Sequence, residues 1–398
     1  MKNRICLSIM TAMLIQSSVL AKPAALDEAS KHVSQDAQSQ IESEVVSDSF
    51  EKEKEQSQSQ IEQSAPEDDV KSLLPPSGQV MSPKQKQAAG KEATQIINDS
   101  RSSSKKILSK NPDGTPTIAV ALGGGGARGA AHIGVLKVFE EEGIHVNQIV
   151  GNSMGAIVGG LYSAGLSLDD IQGRLEDLSL RKAYMPGGFT KKMLSLPLSG
   201  LLHPFRPKHY AGLWSGEKLT RYFDQILPRP NMDISETKIP FSSVATNLID
   251  GKAYRITKGR LATAIKASAA ITPIIQPVAI GNKLFVDGGV RANLPASAAR
   301  DTGAGLVIAV LVDEPMQVLP AKQFTHLKNV VARMSDIVLS IADERQLQFA
   351  DLVINPDVTS IPVLSNDPAD VQKAVHAGEL AARKAIPELR RRMKAANH

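Results

Sequence analysis

Two junctions in which a buried strand runs through glycines into a helix constrain this chain more than any other feature. TIAVAL, Thr117 to Leu122, is a short apolar run with β-branched residues, the pattern of a strand buried on both faces. GGGGARG follows at Gly123 to Gly129. Then Ala130 to Glu142 carries Ile133, Leu136, Val138 and Phe139 on one side, as an amphipathic helix does. The arrangement repeats at once. Gln148 to Val150 is a second short strand, GNSMG occupies Gly151 to Gly155, and Gly155 to Ala164 reads as a helix of small residues. A strand that turns directly into a helix sends its next strand back in the same direction, so the pattern predicts parallel pairing. Further strands are expected at Phe241 to Thr246, Ala253 to Ile256, Leu284 to Val286, Leu306 to Val312 and Leu352 to Ile354. Helical patterns separate several of them, at Leu261 to Ala269, Pro295 to Arg300, Leu327 to Phe349 and Val371 to Arg392. The piece around Lys252, after Ile249-Asp250-Gly251, reads instead as an antiparallel hairpin. The expectation is one α/β domain over residues 113–398, with three α/β/α layers and a mostly parallel central sheet.

In this chain of 398 residues, those ahead of that domain are unlike it. Lys2 and Arg4, an apolar stretch from Ile5 to Ile15, and the small residues of Ser18-Val19-Leu20-Ala21 match a secretory signal peptide over residues 1–21. The expected location is therefore outside the cytoplasm: periplasmic, outer-membrane-associated or secreted. Residues 22–112 are rich in Gln, Ser, Glu and Lys and poor in large apolar groups, so burial cannot offset ordering entropy and a disordered tether is expected. Its charge is segregated, with net −10 from Leu26 to Val70 and net +6 from Lys71 to Lys110. Cys6 is the single cysteine, which excludes an internal disulfide framework and a Cys-based zinc site. Aromatic residues make up 4%, too few for a base-stacking surface, so nucleic acid is not an expected partner. The first apolar stretch is too short for a membrane span, and no other run reaches about 18 residues.

Three motifs carry chemistry. In GGGGARG, consecutive glycines let backbone N–H groups converge ahead of a helix N-terminus, which suits an anion. Gly124, Gly126 and Gly129 also satisfy G-x-G-x-x-G, but no acidic residue follows at the dinucleotide spacing and no Gly-Lys-Ser/Thr makes a P-loop. Alone, the motif serves equally for phosphate binding, an oxyanion hole or a tight turn. GNSMG is G-x-S-x-G at a strand–helix junction, the context of a nucleophile elbow that exposes Ser153. DGG, Asp287 to Gly289, follows the strand LFV and can hold an aspartate rigidly, although Asp-Gly is also an ordinary turn. A serine nucleophile needs a base. None of the eight histidines falls in a loop directly after a late strand, where a hydrolase triad expects one.

The combination of nucleophile, glycine loop and aspartate without a histidine resembles the patatin-like phospholipases, in particular bacterial members of the neuropathy-target-esterase type. The resemblance rests on GGGGARG with AHIGVLKVFEEEGI, on GNSMGAIVGGLYSAG, and on KASAAITPIIQPVAIGNKLFVDGGVRANLP, in the family's order. GLWSGEKLTRYFDQIL also fits its general form. The resemblance implies the patatin-like fold and a Ser–Asp dyad lipid acyl hydrolase. Ser153 would attack a lipid ester and Asp287 would accept its proton and later activate water. Backbone N–H groups of Gly124, Gly125 and Gly126 would form the oxyanion hole. Gly123, Ala127, Arg128, Gly129, Gly151, Asn152, Met154, Gly155, Gly288 and Gly289 would support these groups. Arg128 either positions a phosphate or braces the loop. No metal and no cofactor are implied. The implied partner is a membrane or micellar lipid, met by peripheral contact. Met185 to Trp214 suits that contact, because Phe189, Met193, Leu196 and Phe205 alternate with Lys191, Lys192, Arg206 and Lys208. Two other readings stand beside it: an α/β-hydrolase with a Ser153–Asp287–His376 triad, and a non-enzymatic anion- or lipid-binding protein using the glycine loop.

Overall fold

A computed structural model describes residues 109–187 and 210–396, apart from 273, 314 and 315. The signal segment, nearly all of the tether and the apolar-cationic stretch around Phe189 to Lys208 lie outside the described residues. Folded contacts begin slightly ahead of the expected boundary. Thr117 N donates to Ser109 O at 3.0 Å, and Asn147 Nδ2 donates to Asn111 Oδ1 at 2.7 Å.

Eight strands form one mixed sheet: β1 Ile118–Leu122, β2 Gln148–Asn152, β3 Phe241–Asn247, β4 Ala253–Ile256, β5 Val278–Ile280, β6 Lys283–Asp287, β7 Leu306–Val310 and β8 Leu352–Ile354. β3, β2, β1, β7 and β8 run parallel in that spatial order. β4 pairs antiparallel with β3, as the hairpin pattern predicts. β6 also pairs antiparallel with β3, and β5 with β6. The three-residue strand β5 has no distinctive pattern and was not expected.

The register around β3 decides where the site forms. Val244 is opposite both Asn152 of β2 and Arg255 of β4. Ala245 is opposite both Tyr254 of β4 and Asp287 of β6. A residue has one partner per edge, so β4 takes one edge and β2 and β6 share the other. β2 approaches from below and ends at Asn152, while β6 comes from above and ends at Asp287, one position along. Two strands therefore meet head-on, and the chain after each must turn away.

Helices cover both faces. Alternation along each strand sends Ile118, Val120 and Leu122 to one face and Ala119 and Ala121 to the other. The first face packs against α1 Ala131–Glu141, α2 Met154–Ala164, α6 Leu261–Ser268 and α10 Pro368–Ala395. Outside it lie α3 Leu168–Glu176, α4 Ser179–Tyr184 and α5 Glu217–Ile226. The α3 start is capped by Ser167, whose Oγ accepts from Asp170 N at 3.1 Å. The backbones of α1 and α10 touch: a Cβ on Gly134 would lie 1.9 Å from Val375 O, and one on Gly378 2.0 Å from Ala131 O. The second face is covered by α7 Gly289–Ala292, α8 Ala296–Arg300 and α9 Leu327–Leu347. Among the described residues, no helix is long and apolar enough to cross a membrane.

Candidate active site

The serine sits where β2 must turn away from the end of β6. Ser153 adopts φ 51° and ψ −119°, a conformation that non-glycine residues rarely hold and that costs about 1–3 kcal/mol. The two flanking glycines make the turn possible by close approach. A Cβ on Gly151 would lie 2.5 Å from Gly155 O, and one on Gly155 2.2 Å from Leu122 O. Thus α2 folds tightly back over the ends of β2 and β1. The N-terminus of α2 is aimed at the serine, so its unpaired amides favour negative charge there. Ser153 N donates to Ser268 Oγ at 3.1 Å, and Ser268 Oγ donates to Val244 O at 2.5 Å. Ser268 is buried at the end of α6 and ties the strained turn to β3.

Asp287 arrives on the last position of β6 and is buried. Its Oδ1 accepts from Gly289 N at 2.8 Å. Its Oδ2 is buried with no hydrogen-bond partner. Burial pushes this carboxyl up to about 6, opposed by the nearby Ser153 hydroxyl and the Gly289 amide. The hydroxyl is thus close enough to stabilise the carboxylate, although no bond of ordinary length joins them. Loose contacts of this kind are usual before substrate closes a site. Gly288 fits between the two strand ends, since a Cβ there would lie 2.3 Å from Asn152 Oδ1 and 2.5 Å from Val244 O. Tyr184 on α4 is a neighbour that the sequence did not single out. Its hydroxyl donates to Ala269 O at 2.7 Å, and burial together with the Asp287 charge raises its phenol far above the ordinary value.

The glycine loop lies directly beside the serine. A Cβ on Gly124 would be 3.2 Å from Ser153 Cβ, and one on Gly129 2.5 Å from the Met154 side chain. The amides are not equivalent. Gly123 N donates to Val310 O at 3.2 Å, and Gly124 N donates to Asn293 O at 3.1 Å. Gly124 is therefore committed elsewhere, which removes it from the expected trio of oxyanion donors. Gly125 and Gly126 retain amides without an acceptor among the described residues. Behind them Ala127 N donates to Val363 O at 2.8 Å, and Arg128 Nε donates to Ile361 O at 2.7 Å. Of the two roles open to Arg128, the structure favours bracing of the loop.

Two histidines can be judged against their expected roles. His132 on α1 is fully buried, with Nε2 2.8 Å from Gly123 O. Burial lowers it to about 4, so it is neutral and donates from Nε2, holding the loop. His376, the third member of the alternative triad, has a side chain 68% exposed on α10, 3.9 Å from Glu379. The structure does not bring it to Asp287, because α10 lies against α1 and the residue points to solvent.

Asn152 and Asn293 link these parts, and motif reading did not reveal how. Asn152 Nδ2 donates to Asn293 O at 3.1 Å and to Asn293 Oδ1 at 3.2 Å. Asn293 Nδ2 donates to Asp313 Oδ2 at 2.6 Å and to Asp343 Oδ2 at 3.1 Å. Five sequence neighbourhoods thus converge: the glycine loop, the elbow, the segment after DGG, the end of β7, and α9. The only sequence signal was the Asn-Leu-Pro that reads as a helix start.

A mixed sheet between two helical layers, with a serine on a strained strand–helix turn beside a buried aspartate, defines a class of α/β proteins with a histidine-free serine site. Residues 120–300 match the family model described as patatin-like phospholipase. An uncharacterised NTE family protein of Mycobacterium tuberculosis is 35% identical over 196 residues, which are 49% of each chain. Mouse patatin-like phospholipase domain-containing protein 6 is 33% identical over 199 residues, 49% of this chain and 13% of that one. The match therefore spans about half the length of the mycobacterial relative and a small part of the mouse protein. Human GIVD cytosolic phospholipase A2 is a distant structural likeness, with TM-score 0.38 and 11% identity over 80% of this chain and 64% of that one.

Proposed function

We propose that this protein is a serine lipid acyl hydrolase that cleaves phospholipid or lysophospholipid acyl esters with a Ser153–Asp287 dyad. The observation that carries the reading is the buried, unpartnered Oδ2 of Asp287 next to the Ser153 hydroxyl, with no histidine at either among the described residues. The carboxylate takes the Ser153 proton as Oγ bonds to the ester carbonyl carbon. The carbonyl oxygen becomes an oxyanion held by the amides of Gly125 and Gly126, each such donor worth about 3 kcal/mol. Collapse breaks the ester C–O bond, and the alcohol leaves with the proton returned by Asp287. Water then gives its proton to Asp287 and attacks the acyl carbon, and breaking of the bond to Oγ releases the fatty acid as Asp287 returns the proton to Ser153 Oγ. A pKa near the working pH is what this step asks of a carboxylate base, and burial supplies it.

The family name and the relatives support a lipid substrate. We further propose that residues 1–21 direct export, so that the enzyme meets lipid in the periplasm, at the outer membrane or outside the cell, by peripheral contact. The basic start, short apolar stretch and small residues before Lys22 support this.

A fluorophosphonate probe, followed by mass spectrometry of products from mixed lipids, tests the dyad. Labelling of the wild type and loss of both labelling and fatty-acid release in Ser153→Ala are expected. Ester hydrolysis by folded Ser153→Ala at the wild-type rate would end the proposal.

A further inference from the structure

Asn293 is held on its far side by two carboxyls that the dyad chemistry does not use. Asp313 follows β7, and Asp343 is buried on α9. Both face one nitrogen, the Asn293 Nδ2, at 2.6 and 3.1 Å. Asp343 also accepts from Leu294 N through Oδ1 at 2.7 Å, so both of its oxygens serve as acceptors. A carboxyl whose two oxygens accept N–H bonds is the ionised one, and its neighbour then carries the proton. Two acceptors on the Nδ2 side also settle which way the Asn293 amide points. Its Oδ1 is thereby turned to Asn152 Nδ2, while its main-chain oxygen takes the amide of Gly124.

We propose that Asp313 and Asp343 are positioning residues, an acid pair holding one proton between them that orients Asn293 and, through it, the glycine loop and the Ser153 elbow. The role rests on the dyad reading above; the shared proton does not. Burial raises both carboxyls, and the Asp343 charge raises Asp313 further. The other charged groups facing the pair are Arg128 on the loop and Asp336 and Arg333 on α9. Arg128 lowers Asp313, and Asp336 in turn is raised by burial and lowered by Arg128 and Arg333. Loss of the shared proton leaves two negative charges facing the same Asn293 amide, which repel and release it.

The test uses the full chain and a short-chain nitrophenyl ester across the alkaline range, from about pH 7 to about pH 9. Asp313→Asn keeps the donor that the protonated acid supplied, so it should hold kcat where the wild type declines. Asp343→Asn loses an obligatory acceptor, and kcat should fall roughly 10-fold or more at every pH with KM little changed. An alkaline decline in Asp313→Asn equal to that of the wild type, or wild-type kcat in Asp343→Asn, would overturn the proposal.

Thermal unfolding separates this outcome from failure of the dyad. A carboxyl whose folded pKa exceeds its unfolded one stabilises the fold while protonated, and that stability is lost as pH rises to the folded pKa. The wild-type Tm should therefore fall from about pH 7 toward about pH 9 more steeply than that of Asp313→Asn. If Ser153→Ala retained full activity, the dyad would fail and this slope would still decide the pair. Equal slopes would refute the shared proton.

Discussion

The two faces of the sheet are built from different material. The face toward α1, α2, α6 and α10 takes Ile118, Val120 and Leu122 from β1 and packs them on Leu136, Phe139 and Leu161. The other face takes Ala119 and Ala121 from the same strand and meets α7 and α8, four and five residues long, with α9 packed beside them. The thin layer is crossed by polar groups: Asn152, Asn293 and Asp343 are all buried there or at its upper edge. Burying carboxyls and carboxamides lowers stability unless every bond is made, whereas apolar burial contributes roughly 25 cal/mol per Å². The thick layer therefore holds the fold, and the thin one tolerates the polar network that orders the site. Stability and chemistry should be separable by substitution.

Asp287→Asn should show the largest separation. Loss of the base lowers kcat by about 10²- to 10⁴-fold and removes the rise in wild-type activity with a midpoint at about 6. Its folded pKa lies above the unfolded one, so stability is lost as pH rises from the ordinary carboxylate range to about 6, and the loss is complete above that. The uncharged variant should accordingly gain about 3 kcal/mol at neutral pH and unfold at a higher temperature. A less stable but active variant would mean that the carboxylate is structural. Gly378→Ala should do the reverse. Its methyl group would press on Ala131 O at 2.0 Å, costing about 1–3 kcal/mol by forcing α1 and α10 apart. The folded fraction should still label with fluorophosphonate at the wild-type rate, and an unchanged Tm would show that the crossing has slack. Arg383→Ala, which removes the exposed pair with Glu141 on the same two helices, should change stability by under about 1 kcal/mol and leave kinetics alone. A larger loss would show that the outer surface shares in holding the thick layer.

Much of this was readable before the structure. The seven strands expected from apolar runs are all present, and α1, α2, α6 and α10 fall within a few residues of their patterns. Strong periodicity and glycine turns carry that information locally. β5 and α3 were missed because three residues give no period and because α3 buries only Leu168 and Ile171. Ser153 and Asp287 were legible as types in motifs. Their meeting was not, because it depends on β2 and β6 sharing one edge of β3, a long-range pairing with no local mark. The assignment of three equivalent glycine amides failed for a related reason: Gly124 is taken by Asn293, which lies 169 residues later in the chain. Ser268 stands in the quoted segment KASAAITP with no role readable there, Asp343 lies in no motif, and both reach the site only through tertiary hydrogen bonds.

The head-on meeting of β2 and β6 has a consequence for how such a site tolerates changes in chain length. The reacting groups are the residue just after the end of β2 and the last residue of β6, strands that climb the same edge from opposite directions, so their spacing is set by counting ladder positions rather than by loop conformation. Adding or removing residues in the exposed turn at Asp250 to Lys252 leaves that count intact. A single residue inserted within Lys283–Asp287 would move the carboxylate to the opposite side of the sheet, because strand side chains alternate. The site is thus permissive at its turns and digital at its centre, where one residue more or less exchanges a buried carboxylate for an empty position.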